Sequence, residues 1–279
     1  MEDFVDRLNT PWRKVASTIY EAPKDSKLFG SVDLDMSQID DFIKAKRAAG
    51  IKITHTHVMA SLFSRMIAFD VPEFNAFARR GKIYPRKSID VMLSVLNKNN
   101  EMSSILIKEA HKLTVDQLFE TSANEILKAR KGEENKTMNK KDSLGNIPWP
   151  FRRWVFKFVK WFTLTRGWSL KSQGISSDSF GSFILSNIGT LGLDLGFPAL
   201  FPLSNLAIVV LMGKAQKKAI VINDEIVIRN MMTINVCMDH RVVDASHAGR
   251  AFKSLKYRLK HPEELDLVPE KELALCPFN

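Results

Sequence analysis

The chain has 279 residues, and its 45% hydrophobic content is enough for a sizeable core and too high for wholesale disorder. Its two cysteines, Cys237 and Cys276, offer neither a disulfide framework nor a metal-ligand spacing, so no metal is expected. A formal net charge of +10 would suit a polyanionic cofactor such as coenzyme A, an anionic membrane or nucleic acid. The sequence shows no nucleic-acid-binding or nucleotide-binding motif, so we expect neither nucleic-acid binding nor nucleotide hydrolysis nor hydride transfer.

Neither a signal sequence nor a membrane span is predicted. The N-terminal segment 1–6 is acidic and lacks an apolar core, and no run reaches the roughly 18–20 consecutive apolar residues that a span requires. We therefore expect a cytoplasmic protein, and Cys237, inside an apolar run, is expected to be a small buried hydrophobe. The length permits one large domain or two small ones, and we expect a single domain over residues 1–279, without an evident internal repeat.

The first half of the chain alternates predicted helices and strands. Apolar spacing and turn residues predict these elements in order: a helix after Pro11, a strand over 29–35, a helix over 38–49 capped by Ser37, a helix from Thr54 to about Phe69, strands over 88–95 and 104–108, and a helix capped by Thr114 that reaches about Arg130. His55 and His57 open the predicted helix from Thr54, but residues two apart cannot share a helical face, so no metal site is expected there.

Residues 131–177 interrupt this pattern. A polar run is followed by an aromatic and basic run, and no acidic residue occurs between Asp142 and Asp178. On a helix that starts near Phe151, the apolar residues Phe151, Trp154, Val155, Phe158, Val159, Trp161 and Phe162 share one broad face. The opposite face carries Arg153, Lys157 and Lys160. We interpret 131–177 as an insertion that contains a basic, aromatic, amphipathic helix.

Two partners fit the apolar face of this helix. It could dock on this protein or on a neighbouring subunit, or segment 148–168 could lie on an anionic membrane surface, which would make the protein peripheral to a membrane. The sequence leaves both alternatives open, with docking slightly favoured.

Predicted strands dominate the C-terminal part. Residues 205–213 are continuously apolar, residues 219–228 form a predicted hairpin around Asn223-Asp224, and a strand from Thr233 runs into His240 before a final helix from Ser246 to about Lys260. A strand end would hold the His240 side chain in a fixed geometry, where imidazole can act as a general base. Asp244, four residues later, is a carboxylate that can anchor the local turn.

Several segments resemble the acyltransferase cores of 2-oxoacid dehydrogenase complexes. Asp239-His240-Arg241-Val242-Val243-Asp244 is similar to the family's Asp-His-Arg-x-x-Asp-Gly motif, with Ala245 in place of the glycine. Residues 181–189 resemble its Gly-x-Phe-Thr-Ile-Ser-Asn-Leu-Gly segment, and Pro72-Glu73-Phe74-Asn75-Ala76 its Pro-x-Leu-Asn-Ala segment. The histidine motif also resembles, more distantly, that of chloramphenicol acetyltransferases.

This resemblance implies a chloramphenicol acetyltransferase-like α/β fold, a two-layer sandwich with a mixed sheet. It implies an acyltransferase that moves an acyl group between acyl-coenzyme A and a thiol, hydroxyl or amine. His240 would be the general base and Ser186 would stabilise the oxyanion. Asp244 would be structural, paired with an arginine; Arg13 is the candidate and Arg241 the local rival.

The same resemblance implies a homotrimer, or a multiple of trimers, in which His240 and Ser186 of one site come from different chains. The acceptor could be a lipoylated carrier on another chain, since no lipoyl domain is recognisable in this one, or a small or lipidic molecule. The residues that bind coenzyme A are not identified. The alternative is a non-enzymatic oligomeric scaffold, because Ala245 would strain a turn that needs a positive φ at that position.

Overall fold

In a computed structural model the chain is described at residues 8–9, 26–96, 102–130, 151–169, 179–201 and 204–269. The helix predicted after Pro11, which includes Arg13, lies outside these residues, as does most of the 131–177 insertion.

A mixed seven-stranded sheet forms one layer of the fold. Its strands are β1 (Lys27–Asp35), β4 (Val91–Leu96), β5 (Met102–Ile107), β6 (Phe183–Asn187), β7 (Ile208–Met212), β8 (Gln216–Ile222) and β9 (Glu225–Asp239). Their order is β1-β9-β7-β6-β4-β5, with β8 paired to the first half of β9. Strand β6 runs parallel to both β4 and β7, and the other pairs are antiparallel. A separate hairpin joins β2 (Ala76–Arg79) to β3 (Lys82–Pro85).

Helices cover one face of this sheet. They are α1 (Ser37–Ala48), α2 (His55–Arg65), α3 (Val115–Arg130) and α5 (Ala245–Arg258), and α4 (Phe151–Lys160) belongs to the insertion. Strand β9 shows why the sheet has two different faces, because its side chains alternate. Met232, Ile234, Val236 and Met238 belong to the main core with the helices. Cys237 belongs to a smaller apolar cluster on the opposite face.

Local signals account for most element boundaries. Thr114 caps α3 as predicted, since its Oγ accepts a hydrogen bond from the Gln117 N–H at 3.2 Å. Ser37 does not cap α1: it is the first helical residue, and the Asp35 carboxylate accepts hydrogen bonds from its N–H and hydroxyl. The β2–β3 hairpin was not predicted. None of the helices within the described ranges is both long and apolar enough to cross a bilayer.

Candidate functional site

His240 stands immediately after β9, in a turn fixed by backbone hydrogen bonds. Its N–H donates to the carbonyl of Ser26 at 2.6 Å, which ties it to the start of β1. The N–H groups of Val242 and Val243 both donate to the Asp239 carbonyl, at 2.9 and 3.1 Å. The imidazole is half-buried, so the strand delivers it to the surface in a defined orientation.

One contact selects the tautomer of His240. Its Nδ1 lies 2.9 Å from the carbonyl oxygen of Val243. A carbonyl oxygen can only accept a hydrogen bond, so Nδ1 carries the proton of the neutral ring. The lone pair is then on Nε2, the far side of the ring from this contact, which is the atom that can take a proton from a substrate.

Arg241 does not pair with Asp244, so the local alternative of the sequence analysis is wrong. Its guanidinium Nε donates to both carboxylate oxygens of Asp239, at 2.9 and 3.1 Å, and its backbone N–H also bonds to Asp239. Both side chains are largely buried. The residue before His240 and the residue after it are thus locked together, and this pair stiffens the turn.

Asp244 anchors the next element by capping α5. Its carboxylate accepts hydrogen bonds from the N–H groups of Ser246, at 2.9 Å, and His247, at 3.4 Å. The first residue of that helix is Ala245, not Ser246. Ala245 is helical and is not among the described residues with positive φ, so the strain expected from the missing glycine is absent. Whether Arg13 also contacts Asp244 lies outside the described residues.

Ser186 lies near the end of β6, on the sheet face away from the helices. Phe183 and Leu185 point into the core, while Ile184 and Ser186 alternate to the other side and are half-buried. Among the described residues the Ser186 hydroxyl makes no side-chain hydrogen bond. It can therefore donate to a ligand at that face.

Ser186 and His240 do not meet within one chain. Ser186 is level with Leu211 of β7 and Asn235 of β9, whereas His240 lies five residues beyond Asn235, just after the end of β9. Two strand spacings and five residue rises put the two residues roughly 15–20 Å apart. A site that uses both side chains therefore needs a second copy of the chain.

The insertion reaches the His240 turn. A cavity of about 140 Å³ is lined by Arg80, Lys160, Leu164, Asp239 and Arg241, among others. The insertion is held there by hydrogen bonds from the guanidinium Nε atoms of Arg79 and Arg80 to the carbonyls of Leu164 and Thr165, at 3.2 and 3.1 Å.

The other titratable residues singled out in the sequence have structural roles. Burial raises the pKa of the Cys237 thiol to about 11, which confirms the expected small buried hydrophobe. His55 bonds to Asp40 at 2.7 Å, and burial lowers the pKa of His57 to about 4. Within the described ranges, no three His, Cys, Asp or Glu residues are grouped as metal ligands.

Comparison with known proteins agrees with this architecture. Residues 164–267 match the family described as 2-oxoacid dehydrogenases acyltransferase (catalytic domain). The chain is 36% identical over 98 residues to the lipoamide acyltransferase component of the branched-chain alpha-keto acid dehydrogenase complex of Caenorhabditis elegans. It is 34% identical over 82 residues to the dihydrolipoyllysine-residue acetyltransferase component of the pyruvate dehydrogenase complex of Rickettsia typhi. These matches cover 34% and 29% of this chain.

Over this part of its length, the chain is similar to the 2-oxoacid dehydrogenase acyltransferases. The resemblance predicted from the His240 and Ser186 segments is confirmed. The matched segments span only about a fifth of the length of these curated relatives, 21% and 20% respectively.

Solved acyltransferase structures share the fold along nearly the whole chain. A probable dihydrolipoamide acetyltransferase from Listeria monocytogenes superposes with a TM-score of 0.63 at 15% identity, over 98% of this chain and 94% of the other. The dihydrolipoamide acetyltransferase of Azotobacter vinelandii gives 0.63 at 16% identity, over 86% and 84%, and its study concerned a serine, a histidine and an asparagine in the catalytic mechanism. Chloramphenicol acetyltransferase gives 0.52 at 14% identity, over 90% and 97%. The predicted chloramphenicol acetyltransferase-like fold is confirmed.

Proposed function

We propose that this chain is an acyltransferase that moves an acyl group between acyl-coenzyme A and a thiol, hydroxyl or amine acceptor. The observation that carries the proposal is the His240 imidazole, held through Nδ1 by the Val243 carbonyl, so that Nε2 carries the lone pair of the neutral ring. The buried Asp239–Arg241 pair and the Asp244 cap fix the turn on both sides of it.

His240 Nε2 takes the proton of the acceptor as its oxygen, sulfur or nitrogen attacks the thioester carbonyl of the acyl donor. The carbonyl oxygen becomes an oxyanion, and the coenzyme A sulfur then leaves and receives the proton from His240. No covalent bond to the protein forms, because both substrates meet at the same imidazole. Basic side chains around the adjacent cavity, including Arg80 and Lys160, suit the phosphates of coenzyme A.

The hydroxyl of Ser186 from a neighbouring chain donates a hydrogen bond to the oxyanion. A donor in this role typically contributes roughly 3–4 kcal/mol to transition-state stabilisation. Two facts support the role: the hydroxyl is not engaged by another described side chain, and a serine and a histidine figure in the catalytic mechanism of the Azotobacter relative. Asp244 acts as a positioning residue that holds the start of α5.

The assembly is a trimer, or a multiple of trimers. An apolar surface supports this proposal: Val221, Ile226 and Ile228 are exposed on one side of the β8–β9 hairpin, where Val221 is paired with Ile226. Exposed contiguous apolar side chains of this kind mark contact surfaces between subunits. The acceptor is a dihydrolipoyl group on another chain, as the names of the curated relatives suggest, or a small or lipidic molecule.

Subunit complementation tests the proposal. Ser186→Ala and His240→Ala chains are purified separately, mixed under exchange conditions, and assayed for thiol release from acetyl- and butyryl-coenzyme A with dihydrolipoamide and a panel of alcohols and amines. Each single variant is expected to be at least about a hundredfold slower than wild type. In a random mixture, one site in each mixed trimer is intact, so about a quarter of wild-type activity returns.

Two results would contradict the proposal. Wild-type protein that transfers no acyl group to any acceptor would favour the scaffold. Active wild type whose mixed variants recover nothing, although subunit exchange is demonstrated by mass, would show that the two residues do not act across a subunit interface.

A further inference from the structure

The insertion presents an aromatic face to solvent. On α4 and the turn that follows it, Phe151, Trp154, Phe158 and Trp161 are 66%, 71%, 61% and 41% exposed. Their spacing of three, four and three residues puts them in one stripe along the helix. The stripe is about 15 Å long at 1.5 Å per residue. The sequence left open docking on this protein or on a neighbouring subunit, and contacts within the chain do not bury these four side chains.

The other side of the helix already has a partner. Val155, Val159 and Lys160 are half-buried and Thr163 is buried, and the arginine contacts of the hairpin hold the segment beyond α4. The helix is therefore seated on the protein by one side while its largest aromatic residues project away. This orientation leaves the aromatic stripe accessible to a planar surface.

The aromatic residues at the C-terminal end of the stripe form a connected cluster with Phe162 and Trp168. Phe158 lies 6.0 Å from both Trp161 and Phe162, and Trp168 lies 6.0 Å from Trp161 and 5.3 Å from Phe162, measured between ring centroids. The guanidinium of Arg166 stacks over Trp161 and Trp168 at 4.9 and 5.5 Å. Tryptophan with a neighbouring cation is the combination that is favoured at the boundary between lipid headgroups and acyl chains.

The charge of this segment distinguishes between two surfaces that could contact the stripe, a second copy of the chain and an anionic membrane. Residues 143–177 contain six lysines and arginines and no acidic residue. Lys157 and Arg166 are both exposed, and Arg166 lies against the tryptophans. Two copies of the chain that packed stripe to stripe would bring these positive charges together, which costs free energy. An anionic surface instead gains from each of them.

We propose that α4 and the segment to Trp168 form a membrane-binding site that lies flat on an anionic phospholipid bilayer, with the aromatic stripe inserted among the headgroups. The site does not depend on the proposed catalytic function. It has one consequence for that function: since the insertion also lines the cavity at Asp239 and Arg241, the bound chain would hold the His240 turn close to the bilayer.

Vesicle flotation and tryptophan fluorescence test this site on the full chain. Four of the five tryptophans lie in 149–168, so the emission of the protein mainly reports this segment. With vesicles of phosphatidylcholine and phosphatidylglycerol at about three to one, we expect binding and a blue shift, both weakened by added salt. Vesicles of phosphatidylcholine alone should bind at least about tenfold more weakly.

Two double variants separate the contribution of the aromatic side chains to vesicle binding from that of the positive charges. Trp154→Ser with Phe158→Ser should lower vesicle affinity by at least about tenfold, and Lys157→Glu with Arg166→Glu by a similar factor. Because these side chains are exposed, the fold should be retained. Leu127→Ser and Lys108→Glu, also at exposed positions but on α3 and after β5, are the matched controls and should bind like wild type.

The proposal is overturned if wild type does not bind anionic vesicles, or if the aromatic double variant binds as tightly as wild type. The first case has one distinct form, in which wild type does not bind vesicles and the aromatic double variant has a different oligomeric state in sedimentation velocity. That last result would identify the stripe as an interface between copies of the chain.

Discussion

The carbonyl oxygen of Val243 lies 2.9 Å from Nδ1 of His240, three residues earlier in the same turn. This one hydrogen bond fixes both the orientation and the tautomer of the imidazole. A substitution at His240 can therefore be chosen to keep the contact and remove the base.

His240→Asn should keep the contact with Val243 and remove the base. The asparagine Nδ2 can occupy about the position of Nδ1 and donate to Val243, but nothing replaces Nε2 as a proton acceptor. We expect a loss of about 10²–10⁴ in the rate of acyl transfer, with a melting temperature nearer to wild type than that of His240→Ala. Thiol release and thermal unfolding give the two readouts. Near wild-type turnover in the asparagine variant would mean that another group is the base.

The cap at Asp244 predicts a stability effect with a simple control. Asp244→Ala removes the acceptor for the first N–H groups of α5 and should lower the free energy of unfolding by about 0.5–2 kcal/mol. Asp244→Asn keeps an acceptor oxygen and should cost only a fraction of that. Urea unfolding measures both. Equal losses in the two variants would indicate that the charge of Asp244, not its capping role, matters most.

Replacing Ala245 by glycine tests whether the departure from the family motif costs stability. The residue is helical in α5, so restoring the glycine gains no relief of strain and adds backbone freedom to the unfolded chain. Ala245→Gly should lower the free energy of unfolding, by up to about 1 kcal/mol. A measured increase in stability would instead show that this position is strained by the alanine.

His57 should make the fold sensitive to acid. Its Nδ1 accepts a hydrogen bond from the Thr54 N–H at 3.0 Å, and its Nε2 lies 3.1 Å from the Ser122 hydroxyl. Burial lowers its pKa from 6.5 to about 4. The unfolded chain binds the proton more readily, so the stabilisation is full above pH 6.5 and is lost as the pH falls towards 4, by an amount on the order of 3 kcal/mol.

His57→Gln is the matched variant for this prediction. Glutamine three residues after a threonine cap can accept the same Thr54 N–H and has no proton to gain in this range. The variant should therefore lose less stability than wild type between pH 6.5 and 4 in urea titrations. Leu127→Gln, an exposed substitution that adds and removes no titratable group, is the control and should leave the slope unchanged. A slope equal to wild type in His57→Gln would assign the acid sensitivity elsewhere.

Much of the sheet and the helices could be predicted, because their apolar spacing is set by burial along each element. The run from Thr233 to His240 shows alternation and a clear end, and the structure places the histidine where that pattern predicts. The β2–β3 hairpin was missed because its strands have four residues each, and the turn between them uses Arg80, a residue seldom found at positive φ.

Partners in the site were harder to predict than positions. The sequence suggested Arg241 as a local partner for Asp244, whereas the turn geometry pairs it with Asp239. The separation of Ser186 from His240 depends on the strand register across β7, which no local pattern reports. The exposure of Trp154 and Phe158 depends on how α4 is seated, and the hairpin arginines that hold the segment after it are distant in sequence.

The distance between Ser186 and His240 has a consequence for how the protein behaves on dilution. If each site is shared by two chains, specific activity is a property of the assembled fraction, and it should decline once the subunit concentration drops below the dissociation constant of the oligomer. A carrier that favours assembly, or a local surplus of chains on one surface, would then regulate turnover without touching either side chain.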